Sequence, residues 1–568
     1  MITEQQYSTT KQPHRELYYK INLLNYQFQI VDDISGVVVS DSWTISATSD
    51  IRRSGTITLV PDDEQAYKIQ AGSKIWLDKY VQVYIGIKNN ATDEIIYNNM
   101  GIYLINNPSK AFESTNNQIT LQLVDLMAKL TGMRNGNLEG YEYQLLAGQD
   151  VREIIIAILN RVGFDKYIIN IDPSDYQTIQ YDMAVDGTAT LYDILSTINN
   201  NQYINYQMYF DVDGYFHFEK IPSGDNEMTM VDNDMWQRTY ISHEISTNYE
   251  DMKNDIIVLG KTHTADQYCS DVALNTSNKT FSMNCAGVKR ERDHMKISFT
   301  TPSDMTTTTS GEQYYLNLNS YGRYPLKTAN NSLDFVLRPD TYYVCKSQGL
   351  ERYNITLTGA ANTTAYSINS GTALELEDLQ TLVGCYITKD GLTLSEAVSQ
   401  NCKITSVTGN AQNGYDLWLS KTLDDSQALT NRICYIYRND TSNIYWEFMG
   451  EYQPRAEIKD ENPNSPFYVN GTVGTVKITL SGGDYDNIST SELAMERAKW
   501  ELYTRCRLND TLSLTCIPIY WLDVNWVVEI QLPNEDEPRK FITKDISTTG
   551  GITGTQTIQL MSYYPYYE

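Results

Sequence analysis

Hydrophobic and polar positions alternate with a period of two along most of the segment 17–132. In KYVQVYIGIKN, this alternation places four aliphatic side chains on one face, those of Val81, Val83, Ile85 and Ile87. Alternating runs separated by turn-forming residues are typical of half-buried β-strands. We expect the strand at 101–105 to face a second strand at 119–123. The pattern therefore predicts a small β-barrel or sandwich in this part of the chain.

A different period, that of an amphipathic helix, appears between residues 148 and 164. Asp150 is expected to be the N-cap of this helix, and Gly163 is expected to end it. The predicted buried stripe consists of Val151, Ile154, Ile155, Ile158, Leu159 and Val162.

The segment 188–222 predicts a second helix that leads directly into a β-hairpin. Thr190 and Asp193 have the spacing of a capping box. Asp213-Gly214 lies between two aromatic runs and is typical of a tight hairpin turn. The predicted helix face consists of Leu191, Ile194, Leu195 and Ile198. We expect both helices to pack against this hairpin.

Strand character returns at 239–262 and is interrupted by a turn-rich stretch, 263–445, which carries six of the eight cysteines. The strand pattern seen before residue 263 resumes near residue 446. A further helix is predicted near 490–506, with Ser489 and Glu492 as its capping box.

These patterns predict a mainly β fold with a smaller α/β part. The expected domains are an N-terminal arm at 1–16, a first β-barrel at 17–136, an α/β domain at 137–238, a second β-barrel formed by 239–262 together with 446–568, and an inserted β-rich region at 263–445, of one module or of two divided near residue 350.

Composition narrows the possible partners. The formal net charge is −27, which disfavours binding to nucleic-acid phosphates. Tyrosine is frequent, at 44 residues against 12 phenylalanines, and its apolar ring with a polar tip suits half-buried strands and interfaces. No C-x-x-C pair occurs, so the cysteines are expected to be buried free thiols, without a zinc site.

The sequence contains no convincing catalytic, cofactor or metal motif. Asp211-Val-Asp-Gly could begin a calcium loop, but position 12 of such a loop would be Pro222 instead of glutamate. We therefore expect Asp211→Asn to be nearly silent. His217-Phe-Glu219 lacks the P-C-x-x-C partner of a deaminase, and no G-x-S-x-G is present. We therefore predict that the chain is not an enzyme and that it binds no cofactor.

The first 15 residues are polar, without the apolar stretch of a signal peptide, and no segment is apolar enough to span a membrane. The sequence thus predicts a protein that assembles in the cytoplasm of the cell that makes it.

Several segments together resemble one known family. GIYLINN with QITLQLVDLMAKL resembles the first barrel of phage tail and baseplate hub proteins, and YFDVDGYFHFEKIP resembles the hairpin of their second domain. NDIIVLG, followed much later by STSELAMERAKWEL and PIYWLDVNWVVEI, resembles their second barrel. The family includes late-control-D-like proteins and is related to the spike proteins of type VI secretion.

The resemblance implies two related barrels and a homotrimeric ring that joins a six-fold tail tube to a three-fold spike or tip. The implied partners are the tail tube or distal tail protein, the spike or tip protein, the tape measure protein and other baseplate proteins. The implied location is the tail of a virion or tail-like particle, assembled in the bacterial host cytoplasm.

Two other functions remain open at this point: a carbohydrate-binding tail adhesin and a secreted β-rich cell-wall hydrolase. The adhesin would use aromatic residues late in the inserted region, namely Trp418, Tyr435, Tyr437, Tyr445 and Trp446. For a protein interface, the tyrosine-rich segment after residue 562 is the best candidate, with Tyr564 and Tyr567 as its predicted anchors.

Overall fold

The computed structural model of the chain describes residues 2–112, 117–180, 183–223, 228–286, 295–319, 323–328, 331–348, 352–371, 382–390, 394–410, 414–438, 444–507, 509–533, 535–551 and 553–564. The chain divides into two compact units. The main unit comprises Met1–Val258, Ala456–Asn487 and Met495–Glu568. The inserted unit comprises Leu259–Arg455 and Ile488–Ala494.

The main unit begins with a short helix and a run of antiparallel strands. These elements are α1 (Glu4–Thr10), β1 (Leu17–Leu24), β2 (Ile30–Asp33), β3 (Gly36–Ser46), β4 (Arg53–Pro61), β5 (Tyr80–Lys88), β6 (Ile95–Ile105), β7 (Ser109–Phe112) and β8 (Asn117–Asp125). The predicted pairing of β6 with β8 is confirmed, with Ile105 opposite Leu123. The alternating aliphatic side chains of β5 are fully buried, as expected.

The α/β part follows. Its elements, with the two strands after it, are β9 (Tyr143–Leu145), α2 (Val151–Arg161), β10 (Tyr167–Asn170), β11 (Met183–Val185), α3 (Leu191–Gln202), β12 (Tyr206–Phe210), β13 (Phe216–Lys220), α4 (Asn233–Thr239), β14 (Tyr240–Asn248) and β15 (Asp255–Leu259). The predicted helix signals are confirmed: Asp150 caps α2, and Thr190 with Asp193 forms a capping box at α3. Gly163 follows α2 with a φ of 82°.

The inserted unit is also rich in β-structure. Its elements are β16 (Gln267–Asn275), β17 (Thr280–Asn284), β18 (Lys296–Thr300), β19 (Tyr315–Leu318), β20 (Arg323–Lys327), β21 (Tyr342–Gln348), β22 (Arg352–Gly359), β23 (Ala365–Gly371), β24 (Tyr386–Thr388), α5 (Leu394–Gln400), β25 (Ile404–Asn410), β26 (Gly414–Leu419), β27 (Leu429–Tyr437) and β28 (Tyr445–Glu451). Seven strands close into a barrel in the order β16, β17, β19, β20, β28, β21, β18. The other six form a sheet in the order β24, β27, β22, β23, β26, β25.

The chain then returns to the main unit. The remaining elements are β29 (Arg455–Lys459), β30 (Lys477–Leu480), α6 (Ser491–Arg505), β31 (Asn509–Cys516), β32 (Val527–Ile530), β33 (Arg539–Thr549) and β34 (Gln556–Ser562). β15 lies between β29 and β30 in a three-stranded sheet, so the strands that precede and follow the insertion are neighbours.

A single 13-stranded sheet unites the two ends of the chain. Its main path runs β14, β31, β34, β33, β3, β4, β8, β6, β5, β1, β2, and β32 and β7 pair beside it. The link is the antiparallel pairing of Ser42–Ser46 in β3 with Asp545–Thr549 in β33. Strands assigned to both predicted barrels therefore share one sheet. The mainly β class with a smaller α/β part is confirmed, whereas the domain boundaries stay a prediction.

Two hydrophobic cores lie along this sheet. The first is lined by β1, β3, β4, β5, β6 and β8 and includes Trp43 and Tyr103. The second is lined by α4 and β31–β34 and includes Trp236 and Phe541. Because one core lies at each end of the sheet, the β3–β33 pairing ties together two separately packed regions.

The expectation that the cysteines are free thiols is wrong for Cys269 and Cys285. Cys269 and Cys285 form a disulfide. Ser270 pairs with Asn284 across β16 and β17, so the two flanking cysteines lie opposite each other, 4.3 Å apart between Cα atoms. Cys345, Cys434 and Cys516 are buried free thiols, as expected.

Two helix starts also differ from expectation. The hydrophobic pattern does not predict α1, although Thr3 and Gln6 form a capping box at its start. At α6 the Leu493 amide donates to the Thr490 hydroxyl at 3.3 Å, so the cap is one residue later than the predicted Ser489.

Candidate functional site: a buried charge network at the hairpin

The predicted hairpin is confirmed and is docked onto the first part of the main sheet. β12 and β13 pair antiparallel, and Gly214 in the turn has a φ of 81°. A Cβ atom at Gly214 would lie 3.2 Å from the Ile102 side chain and 3.3 Å from Phe28. Asn99 Nδ2 donates to the Val212 carbonyl at 3.0 Å. Glycine is thus required both by the backbone conformation and by the close packing.

Asp211 holds the turn together through both of its carboxylate oxygens. Oδ1 accepts the amides of Asp213 and Tyr215, each at 2.9 Å, and Oδ2 lies 3.0 Å from His217 Nε2. These contacts give both oxygens of the carboxylate partners within the hairpin. Because this carboxylate is also the partner of an imidazole, the contacts favour a destabilising effect of Asp211→Asn over the nearly silent one expected from the sequence.

His217 lies between two carboxylates and against an aromatic ring. Its Nδ1 is 3.4 Å from Glu219 Oε2, and its ring stacks on Tyr209 with centroids 4.8 Å apart. The Tyr209 hydroxyl donates to Glu219 at 2.8 Å. Burial opposes the imidazolium charge, yet the hydrogen bonds to Asp211 and Glu219 raise the pKa of His217 to about 9.

Two adjacent arginines continue the network at Tyr209. The Arg52 guanidinium lies 3.7 Å from the Tyr209 ring centroid, within the range of a cation–π contact. Arg52 and Arg53 both pair with Asp523, the former at 3.4 Å. All three side chains are largely buried, with exposed fractions of 6%, 3% and 14%. Arg52 and Arg53 thus share one counter-charge, which comes from a distant part of the sequence.

Backbone and amide groups complete this arrangement. Arg53 donates from its amide to Asp125 at 2.8 Å, and Arg52 donates to Gln207 Oε1 at 2.9 Å. Asn525 Nδ2 donates to the same Gln207 oxygen at 2.9 Å. The network therefore joins β4, the hairpin strand β12 and the loop between β31 and β32.

Two effects act on the pKa values of the carboxyl groups in this network: burial raises them, and pairing with arginine lowers them. Burial disfavours the carboxylate of Asp523, but Arg52 and Arg53 hold its pKa below the ordinary value. Burial raises the pKa of Asp125 to about 6. Since the contacts of these charged groups are with other groups of the same network, the arrangement fixes the relative positions of three chain segments. We therefore assign it a positioning role.

A pH dependence is expected from His217. Because its pKa in the folded protein exceeds the ordinary 6.5, the protonated ring stabilises the fold below pH 6.5, and this contribution is lost as pH rises through about 9. We expect the free energy of unfolding to fall by about 2 to 3 kcal/mol more in the wild type than in His217→Gln over that range. Urea denaturation at pH 6, 7.5 and 9.5 measures the difference. If the free energy of unfolding fell by the same amount with pH in both proteins, the raised pKa assigned to His217 would be contradicted.

The two predicted interface tyrosines have different outcomes. Tyr564 is 38% exposed and lines a cavity of the main unit. Its carbonyl accepts the Tyr503 hydroxyl at 2.5 Å. Tyr567 lies outside the described residues. Whether either residue forms an interface stays a prediction.

The aromatic residues considered for sugar binding do not form an open platform. Trp446 and Tyr437 are buried, whereas Trp418 is 44% exposed. Among the described residues, no group of three or more His, Cys, Asp or Glu side chains is placed to hold a metal ion. Nor is any helix in the described ranges long and apolar enough to cross a membrane.

The charge network itself was not found from the sequence. Adjacent arginines in SDIRRSG, at the start of an apolar strand, were a usable signal, because a buried arginine requires a counter-charge. Asp523 in WLDVNW gave no comparable signal, since the pair Arg53–Asp523 spans 470 residues.

Comparison with known proteins gives one partial family match and several structural likenesses. A family model described as a domain of unknown function (DUF5048) matches residues 464–567, a minority of the chain. A search of curated proteins finds no match to the sequence.

Among solved structures, the chain is similar to the 43 kDa tail protein of prophage MuSo2 from Shewanella oneidensis, with 10% identity, a TM-score of 0.42, and coverage of 96% of this chain and 98% of that one. It is also similar to the tail protein from Neisseria meningitidis MC58, with 7% identity, the same TM-score and the same coverages. The Francisella PdpA-VgrG complex, half-lidded, has 11% identity and a TM-score of 0.31, over 97% of this chain and 88% of that one. These identities and TM-scores are low, and the likenesses carry no argument about the function of this chain.

Proposed function

We propose that this chain is a structural hub protein of a phage tail or phage-tail-like particle, and that it assembles as a homotrimeric ring. In this role it joins the six-fold tail tube to a three-fold spike or tip and contacts the distal tail, baseplate and tape measure proteins. The proposal rests on the resemblance of the sequence to hub proteins and on one structural observation, the two open edges of the 13-stranded sheet.

The two edge strands carry exposed aliphatic side chains. Among the described strands, β2 pairs only with β1, and β14 pairs only with β31. On β2, Ile30 is 62% and Val31 is 52% exposed; on β14, Ile241 is 50% and Ile245 is 39% exposed. Exposed apolar edge strands favour pairing with another chain, and proteins commonly protect them. These exposed aliphatic side chains support an assembly in which both edges are covered.

The two edges of the sheet are formed by different strands, and this arrangement is compatible with a ring of protomers. A contact between β2 of one protomer and β14 of the next joins two different surfaces, and repeated contacts of this kind close into a ring when the rotation permits. A cleft of about 790 Å³ beside β2, lined by residues of β1, β2 and β3, offers room for an incoming strand. The choice of three copies comes from the resemblance.

The acidic balance is consistent with a conduit. Each protomer has a formal net charge of −27, so a ring of such chains would repel nucleic acid from its walls instead of retaining it. The proposal assigns no catalytic step to this chain.

Charge substitution at the edges tests the ring. Ile30→Lys or Ile245→Glu is expected to convert trimer into monomer, because a charge at an apolar interface is left without a partner. The double variant I30K/I245E is expected to recover trimer in part, since lysine and glutamate then meet across the same contact. Native mass spectrometry of the purified full chain measures the distribution.

Tyr141→Lys is the matched control, because Tyr141 is 81% exposed and lies on neither edge. It is expected to leave the trimer unchanged. A wild-type chain that is monomeric both in solution and in assembled particles would overturn the proposal. Trimers that persist in both single variants would reject the edges as the interface.

A further inference from the structure

The barrel of the inserted unit has a corner on β16, where that strand changes its partner. Residues Gln267–Cys269 pair in parallel with β18, with Cys269 opposite Phe299. From Ser270 onward, β16 pairs instead with β17, in the antiparallel direction. Closure of the barrel on this side therefore depends on one strand that belongs first to one ladder and then to the other.

The ladder is interrupted directly after this corner. The register of β16 against β17 shifts between Ser270 and Ala273, which leaves a bulge in the pairing. Asp271 in this bulge has a φ of 53°, a conformation that residues other than glycine adopt rarely. One side-chain hydrogen bond crosses the bulge, from Asn284 Nδ2 to Asp271 Oδ2 at 2.9 Å, but both side chains are exposed and water competes for it. We therefore expect β16 to separate from β17 more readily here than along the regular ladders of the barrel.

The disulfide between Cys269 and Cys285 crosses this corner. Cys285 is held firmly, because Asn319 Oδ1 accepts its amide at 2.8 Å and Asn319 Nδ2 donates to its carbonyl at 2.9 Å. Cys269, by contrast, lies next to the shift in register. The two cysteines are buried, with exposed fractions of 0% and 1%. A dissolved reagent thus reaches their sulfur atoms only after β16 has moved.

We propose that Cys269 and Cys285 form a redox latch, a thiol pair that closes readily and reopens slowly. In a reducing compartment the pair remains as two thiols. Without the disulfide, the corner opens often enough for a low-molecular-weight disulfide, such as glutathione disulfide, to reach the thiols. Once the bond has formed, the corner opens rarely and reductants are excluded.

The consequence of the latch is a change in the inserted unit when the chain leaves a reducing compartment. The closed bond removes conformations from the opened state of the β16–β17 hairpin, so local unfolding becomes less favourable. The inference concerns this unit alone and does not depend on the ring proposed above.

The closing reaction is a thiol–disulfide exchange in two steps. A thiolate of one cysteine attacks a sulfur of glutathione disulfide, forms a mixed disulfide and releases one glutathione thiolate. The thiolate of the other cysteine then attacks the protein sulfur of the mixed disulfide and releases the second glutathione. The Sγ–Sγ bond of the protein forms and the bond of glutathione disulfide breaks. The two glutathione sulfur atoms take up the two electrons and the two protons that the cysteines lose.

The rate of thiol alkylation tests the opening of the corner. In the reduced full chain, Cys269 is expected to react with N-ethylmaleimide at least about tenfold faster than Cys345, as measured by peptide mass spectrometry. Cys345 is the matched control, because it is also 0% exposed in the core of this barrel, and the pairing of its strand with β18 has no shift in register. Equal rates for the two thiols would overturn the proposal.

Hydrogen exchange measures the effect of the closed disulfide. Cys285→Ser prevents closure, and the backbone amides of Gln267–Ala273 are expected to exchange at least about tenfold faster than in the oxidised wild type. Cys345→Ser makes the same substitution in the same core and is expected to leave those amides unchanged. If both variants accelerate exchange equally, the effect comes from core packing and the latch is rejected.

Reduction of the closed form tests the direction of the latch. In dithiothreitol, the disulfide of the native oxidised chain is expected to persist at least about tenfold longer than that of the chain unfolded in urea, because access limits the exchange. The native reduced chain is expected to close in glutathione disulfide during the time in which the native oxidised chain resists dithiothreitol. Equal reduction rates with and without urea, or failure of the native reduced chain to close, would overturn the proposal.

Discussion

Replacing Asp523 with asparagine is expected to lower the free energy of unfolding of the main unit by about 3 to 5 kcal/mol. The reason is that Arg52 and Arg53 would remain buried without their shared counter-charge. Arg52 is already held with a lowered pKa by its burial. Urea denaturation of the full chain, followed by tryptophan fluorescence, measures the loss.

Asp536→Asn is the matched control, because Asp536 is an exposed aspartate in the same part of the chain. A change of less than about 0.5 kcal/mol is expected there. If Asp523→Asn were equally mild, the arginine pair would have to be neutralised by other groups, and the positioning role assigned to the network would be wrong.

Ile158→Asp is expected to be the second severe change, with a loss of more than about 4 kcal/mol. Ile158 is 1% exposed on α2, and its burial contributes roughly 1.5 to 3 kcal/mol. A carboxylate at this position adds the cost of desolvating a charge without a partner. The midpoint of urea denaturation, followed by circular dichroism, is the measurement.

Asn160→Asp introduces the same carboxylate on an exposed position of the same helix. Its expected effect is below about 1 kcal/mol, from the unfavourable charge near the helix C-terminus. Comparable destabilisation by the two substitutions would mean that α2 is sensitive to charge alone and that burial of Ile158 is not what stabilises this part of the fold.

The elements that sequence predicted well are those specified by neighbouring residues. The caps at Asp150 and Thr190, the turn at Gly214 and the alternation in β5 all depend on side chains within a few positions of each other. The side chains of the two predicted helix stripes, including those of Ile158 and Leu195, are buried as expected. The mainly β fold class was also predicted from local signals of this kind.

Long-range partners could not be predicted in this way. Nothing near Ser42 indicates that β3 pairs with β33, and nothing near Arg53 indicates Asp523. The disulfide depends on the register of β16 and β17, which spacing alone does not fix.

The pairing of β3 with β33 has a consequence for synthesis on the ribosome. The two strands lie about as far apart in the sequence as Trp521 and Thr10, whose side-chain hydrogen bond spans 511 residues. At roughly 5 to 20 residues per second, residues with this separation are synthesised about half a minute to two minutes apart. The inserted unit, by contrast, draws almost all of its strands from one continuous stretch and is complete sooner. During that interval, β3 is an open edge of the N-terminal strands, because its partner β33 has not yet been synthesised. A newly made chain is therefore most vulnerable to aggregation before its C-terminal strands emerge, and chaperone binding during translation should concentrate on the first strands.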